Sequence, residues 1–122
     1  MNLLIVDDEY LVVEEVVTVT DWELLGITEI YSATNAVSAV RILNEKKIDI
    51  MICDIEMPQT DGLELSKKAK ENFPDLEIVM LTSHAEFNYV RNALRYGCYD
   101  YLLKPVMEDD IIKVMKNLVT KI

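Results

Sequence analysis

The sequence has few residues that break or cross-link a chain. It contains 3 Gly, 3 Pro and 2 Cys among 122 residues, which excludes a disulfide-stapled scaffold and a collagen-like or linker-like composition. No apolar run approaches the roughly 18 residues of a membrane span. The start at Met1 lacks the basic flank and long apolar stretch of a signal peptide. We therefore expect a cytoplasmic protein that does not enter a membrane.

Basic residues are also scarce. The chain has 12 Lys and Arg against 22 Asp and Glu, a formal net charge of −10. Phosphate backbones require Lys and Arg, so this composition argues against nucleic-acid binding by the chain itself. The hydrophobic share of 51% and the charged share of 28% are typical of a globular protein. We expect a single domain over residues 1–122, because that length suits one hydrophobic core.

Short apolar runs alternate with amphipathic segments along the chain. The runs predict five strands, over residues 3–6, 29–33, 48–53, 76–81 and 99–103. The amphipathic segments predict five helices, over about 9–20, after an N-cap at Asn35, after a cap at Asp61, over 86–96 and from about 108 onward. This strict alternation predicts an α/β fold with a doubly wound parallel sheet, because each parallel crossover needs a covering helix.

Polar residues follow four of the predicted strands. In such sheets, ligands bind at the carboxyl ends of the strands. The residues at those ends are Asp7 and Asp8, Asp54, Thr82 and Ser83, and Lys104 and Pro105. We therefore predict one functional site, assembled from four separate parts of the chain.

Three of these residues are acidic, namely Asp7, Asp8 and Asp54. If they converge, each like-charged pair near 4 Å costs on the order of 4 kcal/mol at an effective dielectric constant of 20. Such a site needs a cation, and oxygen ligands without a neighbouring His or Cys favour Mg²⁺ or Mn²⁺ over zinc. The alternative is that Asp7 and Asp8 only cap the first helix.

A carboxylate beside Mg²⁺ can act as a nucleophile on phosphorus and form an aspartyl phosphate. Lys104 would supply a positive charge, and the Thr82 hydroxyl could donate to a phosphoryl oxygen. The alternative for Lys104 is a solvated lysine at a strand end. Its place before Pro105 favours the site, because a cis X–Pro bond can redirect a side chain.

The chain resembles the receiver domain of bacterial two-component response regulators over essentially all 122 residues. Four motifs carry the resemblance: LIVDDE at 4–9, DIEMPQTDG at 54–62, LTS at 81–83 and YLLKP at 101–105. It implies a flavodoxin-like (βα)5 fold with strand order 2-1-3-4-5. It also implies a phosphorylation-controlled signalling switch, not an enzyme in its own right, that accepts a phosphoryl group from a histidine kinase and assists its own phosphorylation and dephosphorylation.

The same resemblance implies a role for each site residue. Asp54 would be the phospho-acceptor, and Thr82 and Lys104 would hold the phosphoryl oxygens. Thr82 and Tyr101 would switch together and alter the surface of the fourth helix, fifth strand and last helix; Tyr101 could instead be an ordinary half-buried tyrosine. The implied Mg²⁺ ligands are Asp8, Asp54, the backbone carbonyl of Glu56 and, through water, Asp7.

Two further segments, 21–27 and 83–89, are similar to receivers joined to AraC-like helix-turn-helix DNA-binding domains. This implies a parent transcription regulator with a C-terminal output domain. The chain contains no such module, so it is either an excised or a free-standing receiver that acts through protein contacts. An apolar helical face is compatible with a homodimer on phosphorylation; its residues are Phe87, Tyr89, Val90 and Leu94.

Several other residues have simpler interpretations. We expect His84 to be a loop or capping residue at the rim of the site, because nothing nearby in sequence would orient it as a base. Cys53 and Trp22 are expected in the core, as are Met80 and Met115. By the same resemblance, Glu56 stands at a position that varies among receivers, where its carboxylate could contact the metal site or influence water attack.

Two other functions remain open on the residues. A Mg²⁺-dependent phosphatase with an aspartyl-phosphate intermediate needs a second acid two residues after the nucleophile, which Glu56 approximates. A flavin- or nucleotide-binding module is disfavoured, because the acidic loop at 7–9 would repel phosphate without a metal.

Overall fold

The structure is a computed structural model that describes residues 1–57, 60–83, 95 and 97–121. Several predictions lie outside the described residues: His84, the helix over 86–96 apart from Arg95, and the apolar face proposed for self-association. Within the described residues, no helix combines the length and the apolar character needed to cross a membrane.

The described residues form seven strands and four α-helices. The strands are β1 (Asn2–Val6), β2 (Glu29–Ala33), β3 (Ile50–Asp54), β4 (Glu56–Met57), β5 (Thr60–Asp61), β6 (Glu77–Thr82) and β7 (Asp100–Leu103). The helices are α1 (Tyr10–Thr18), α2 (Ala36–Glu45), α3 (Gly62–Asn72) and α4 (Glu108–Lys121), with a short 3₁₀ helix at Trp22–Leu25.

Five strands form one parallel sheet in the order β2-β1-β3-β6-β7. Strands β4 and β5 form a separate antiparallel hairpin, in which Glu56 pairs with Asp61. With the hairpin left out, the order is 2-1-3-4-5, so the predicted fold is confirmed.

Hydrophobic side chains cover both faces of the sheet. Along β3, Met51 and Cys53 belong to one buried cluster, whereas Ile50 and Ile52 belong to the other. This division follows from the two-residue period of a strand, and a sheet buried on both faces reads as a continuous apolar run. The prediction that Cys53 lies in the core is confirmed.

Trp22 belongs to the same buried cluster as Ile50 and Ile52. It is 4% exposed, and its indole Nε1 donates a hydrogen bond to the backbone oxygen of Val16 at 2.9 Å. The carboxylate of Asp21 accepts from the backbone N–H of Glu23 and so caps the 3₁₀ helix. Trp22 therefore packs in the core as expected.

The element boundaries differ from the predicted ones by a few residues. Helix α1 is shorter than the predicted 9–20, and β3 begins two residues later than predicted and ends on Asp54. Asn35 caps α2 as predicted, because its side chain accepts from the Ser38 N–H at 2.8 Å. Asp61 directly precedes α3, but it also belongs to the hairpin, which the hydrophobic pattern did not indicate.

Candidate functional site

The parallel sheet brings four polar strand ends to one edge. Asp54 is the last residue of β3 and pairs with Leu81 of β6. Thr82 is the last residue of β6, and its backbone oxygen accepts from the N–H of Lys104 at 2.8 Å. Asp7 follows β1, and its N–H donates to Ala33 at the end of β2. The backbone positions that carry the predicted site residues are therefore neighbours at one edge of the sheet.

The three aspartates form a compact acidic cluster. Asp7, Asp8 and Asp54 each offer a carboxylate oxygen, and these oxygens all lie within 4.8 Å of one another. Asp7 and Asp54 are buried, at 0% and 1% exposure, whereas Asp8 is exposed. Carboxylate oxygens at this spacing suit a hard divalent cation such as Mg²⁺ or Mn²⁺, which would offset their mutual repulsion.

Lys104 places its ammonium group against the two buried aspartates. Its Nζ lies 2.9 Å from Oδ2 of Asp7 and 3.3 Å from Oδ1 of Asp54, and the Lys104–Pro105 bond is cis. Burial lowers the pKa of Lys104, but the hydrogen bond to Asp7 and the charges of both aspartates raise it above its ordinary value overall. The group is therefore a fixed positive charge at neutral pH.

Asp54 has a carboxyl group with altered acidity. Its pKa is raised to about 6 overall, chiefly by burial and in part by the negative charge of Asp7. The Glu56 N–H, which donates to Oδ1 at 3.2 Å, and the positive charge of Lys104 act in the opposite direction. Most of the Asp54 population is thus ionised at neutral pH and available as a nucleophile.

Asp7 does not act only as a helix cap. Its Oδ1 accepts from the backbone N–H of Glu9 at 2.9 Å, while its Oδ2 faces Lys104. The N-cap residue of α1 is Glu9, which makes no capping bond with its side chain. One oxygen of Asp7 therefore orders the turn after β1, and the other belongs to the site.

Gly62 is a residue whose importance the sequence did not reveal beyond its place in a motif. A Cβ atom there would overlap the carbonyl oxygen of Asp54 and lie 2.9 Å from its carbonyl carbon. The Gly62 N–H also donates to the Ile55 oxygen at 3.2 Å. Glycine thus lets α3 begin directly against the end of β3, next to Asp54. The scarcity of glycine, with three in the chain, is the signal that could have identified it.

Thr82 makes a contact that the sequence did not indicate. Its hydroxyl donates to Oε1 of Glu56 at 2.9 Å, and the Ser83 hydroxyl donates to Oε2 of the same carboxylate at 3.1 Å. The side chain of Glu56 is therefore held at the end of β6. Its backbone N–H meanwhile contacts Asp54.

Tyr101 is the remaining residue for which a role in the site is predicted. Tyr101 is half-buried on β7 and packs against the cluster that contains Cys53. Its switching role stays a prediction.

Both cysteines are free and buried. Burial raises the pKa of Cys53 far above its ordinary value and that of Cys98 to about 11, so neither thiol is a nucleophile at neutral pH.

The parallel sheet and the acidic site at its edge agree with a known family of signalling domains. The sequence pattern of the response regulator receiver domain matches residues 3–116. The chain therefore belongs to the response regulator receiver family, and the resemblance seen in the motifs is confirmed.

Individual relatives agree with this assignment. The chain is 34% identical over 121 residues to YesN of Bacillus subtilis, an uncharacterized transcriptional regulatory protein, covering 99% of this chain and 33% of YesN. The receiver domain of AraT from Geobacillus stearothermophilus superposes with a TM-score of 0.90 at 30% identity, over 98% of this chain and 93% of that one. A two-component transcriptional regulator AraC from Clostridium phytofermentans gives 0.89 at 24% identity, over 98% and 93%, and supports the fold.

The chain spans only part of the curated relatives that it matches, one third of YesN and 47% of a response regulatory protein from Staphylococcus epidermidis. What is common to the chain and these proteins is thus a regulatory receiver domain of a two-component response regulator.

Proposed function

We propose that this domain is a phosphorylation-controlled switch that accepts a phosphoryl group on Asp54 from a phosphohistidine of a sensor kinase. The observation that carries the proposal is the geometry at the end of β3. A buried carboxylate, that of Asp54, has an oxygen within 4.8 Å of oxygens of two other aspartates and 3.3 Å from a lysine ammonium. Family membership supports the same role.

The transfer itself requires little from the protein beyond positioning and charge. An oxygen of Asp54 attacks phosphorus, the bond from phosphorus to the imidazole nitrogen breaks, and that nitrogen keeps the electron pair and takes up a proton. Lys104 lies where negative charge accumulates on the phosphoryl oxygens, and Thr82 would donate a hydrogen bond to one of them.

A divalent cation fits the donor set. We propose Asp8, Asp54 and the backbone carbonyl of Glu56 as direct ligands of Mg²⁺, with Asp7 bonded to it through water. When bound, Mg²⁺ supplies positive charge that offsets the charge on the transferring phosphoryl group. Mn²⁺ prefers the same oxygen ligands and could replace it.

The signal would leave the site through Thr82 and Tyr101. Charge-assisted bonds to the phosphoryl group would exist in only one of two conformations and so would favour that state. We place the altered surface on β7, α4 and the predicted fourth helix, which lies outside the described residues. On this proposal, residues 1–122 are the receiver, and a parent protein comparable to YesN would carry a C-terminal DNA-binding output domain and dimerise on phosphorylation.

The experiment treats the purified chain with acetyl phosphate and Mg²⁺ and measures intact mass. We expect one added phosphoryl group on the wild type, and none for Asp54→Ala or after removal of the metal with EDTA. Asp49→Asn is the matched control, because Asp49 immediately precedes β3 at its opposite end, where its carboxylate accepts from the Asn2 N–H. It should be modified like the wild type.

Two results would contradict this function. An equal adduct on Asp54→Ala would place the phosphoryl group on another residue. Steady hydrolysis of a phosphate monoester would indicate a phosphatase instead, in which the second acid would be Glu56, whose carboxylate accepts hydrogen bonds from Thr82 and Ser83.

A further inference from the structure

Both oxygens of the Glu56 carboxylate accept hydrogen bonds from the end of β6. Thr82 donates to one at 2.9 Å and Ser83 to the other at 3.1 Å. The backbone of Glu56 is fixed as well, because it pairs with Asp61 in the hairpin and donates to Asp54. The half-buried carboxylate is therefore held at a defined place beside the acceptor.

This contact competes with the task proposed for Thr82. A hydroxyl has a single hydrogen to donate. While that hydrogen points to the carboxylate of Glu56, it cannot also point to a phosphoryl oxygen on Asp54. The bond to Glu56 is charge-assisted, and such bonds are about twice as strong as neutral ones. Release of Thr82 therefore has a free-energy cost.

We propose that Glu56 is a latch that holds the Thr82 hydroxyl in the unphosphorylated state and must release it when a phosphoryl group arrives. Ser83 anchors the latch, because its hydroxyl fixes the second carboxylate oxygen near Thr82. Glu56 is then a positioning residue that opposes activation. This inference rests on the function proposed above. It adds that the Glu56 carboxylate competes with the phosphoryl group for the hydrogen bond of the Thr82 hydroxyl.

Beryllofluoride, a non-covalent mimic of the phosphoryl group, provides the test. Its affinity for the purified chain is measured by calorimetry in saturating Mg²⁺. Loss of the latch frees Thr82, so Glu56→Ala should bind the mimic about tenfold more tightly, since a net gain near 1.4 kcal/mol is tenfold. Ser83→Ala should bind roughly threefold more tightly, because one anchoring bond is removed. The double variant should match Glu56→Ala alone.

A second background separates the latch from simple charge repulsion. Glu56 is negative, so its removal could help an anion bind without any role for Thr82. In a Thr82→Ala background, a latch predicts that Glu56→Ala no longer changes the affinity for beryllofluoride. Repulsion predicts that the full gain persists, and that result would overturn the latch. Glu9→Ala removes an exposed carboxylate near the same sheet edge and should leave the affinity within about twofold.

The outcomes also separate this inference from the proposed function. If the wild type does not bind beryllofluoride, or if Asp54→Ala binds it equally well, the proposed function fails. If the wild type binds it normally and Glu56→Ala and Ser83→Ala bind no more tightly, only the latch fails. Thermal unfolding of each variant checks that it is folded. If Glu56→Ala does not fold, Ser83→Ala still tests the latch, because it changes no charge.

Discussion

The two ends of the sheet each hold a lysine against a carboxylate, but they do so in different surroundings. At the carboxyl ends of the strands, the Lys104 side chain is 16% exposed and meets two aspartates with almost no exposure. At the opposite end, Lys121 is 53% exposed and meets one carboxylate, that of the buried Glu77, at 3.1 Å. Lys121 also lies 5.1 Å from the ring centre of Tyr99.

The difference between the ends is one of charge balance. Glu77 and Lys121 pair one to one. At the other end, three carboxylates lie together and the two buried ones share one ammonium group, counted over the described residues. Excess negative charge in a buried place is costly unless a cation or a proton offsets it. An ion pair by itself is therefore no evidence of a functional site. The excess of negative charge is what indicates that the carboxyl ends of the strands form the functional end of the sheet.

Removal of Lys104 should have the largest effect on stability. Lys104→Met leaves Asp7 and Asp54 buried without their positive partner, and loss of one member of a buried pair is strongly destabilising. Without divalent metal at pH 7, we expect a loss of about 2 to 3 kcal/mol in the free energy of unfolding, measured in urea. A loss below about 0.5 kcal/mol would show that the charges of Asp7 and Asp54 destabilise the fold little when Lys104 is absent.

Removal of the Asp54 charge should act in the opposite direction. The pKa of Asp54 is about 6 in the folded protein against an ordinary value of 3.8, so the folded state binds the proton more tightly. Wild-type stability should therefore fall as the pH rises from about 4 to 6, and Asp54→Asn lacks this fall. Without metal, the variant should be more stable by about 1 to 2 kcal/mol above pH 6.

The comparison that checks this effect is the difference in unfolding free energy between the two proteins across pH. The advantage of Asp54→Asn should shrink toward zero near pH 4, where both folded and unfolded wild type hold the proton. An advantage that is constant with pH would mean that the Asp54 carboxyl does not titrate in this range. Asp49→Asn keeps the Asp54 carboxyl and is the control, so its own stability should still fall as the pH rises from about 4 to 6.

The smallest effect is expected at the far end. Lys121→Met removes a half-exposed partner of the buried Glu77, and water screens a charge pair whose lysine is this exposed, so the pair contributes little. We expect a loss of about 0.5 kcal/mol that disappears in high salt because of screening. A loss as large as that of Lys104→Met would remove the contrast between the two ends.

Much of the fold could be predicted from local patterns. Apolar runs bounded by polar residues indicate strands whatever their partners, and the cap at Asn35 acts within three residues of itself. The hairpin of β4 and β5 was missed because strands of two residues have no periodicity to detect. The boundaries shifted because neighbouring strands, not local propensity, decide where pairing stops.

The sequence by itself determined the alternation of strands and helices, the excess of acid, and which polar residues stand at strand ends. Those features depend on residue order and on the two-residue period of a strand. Only the tertiary structure decided that Gly62 lies against Asp54 and that Glu56 holds Thr82, 26 residues away. Such contacts depend on distances between atoms that the chain brings together only when it folds.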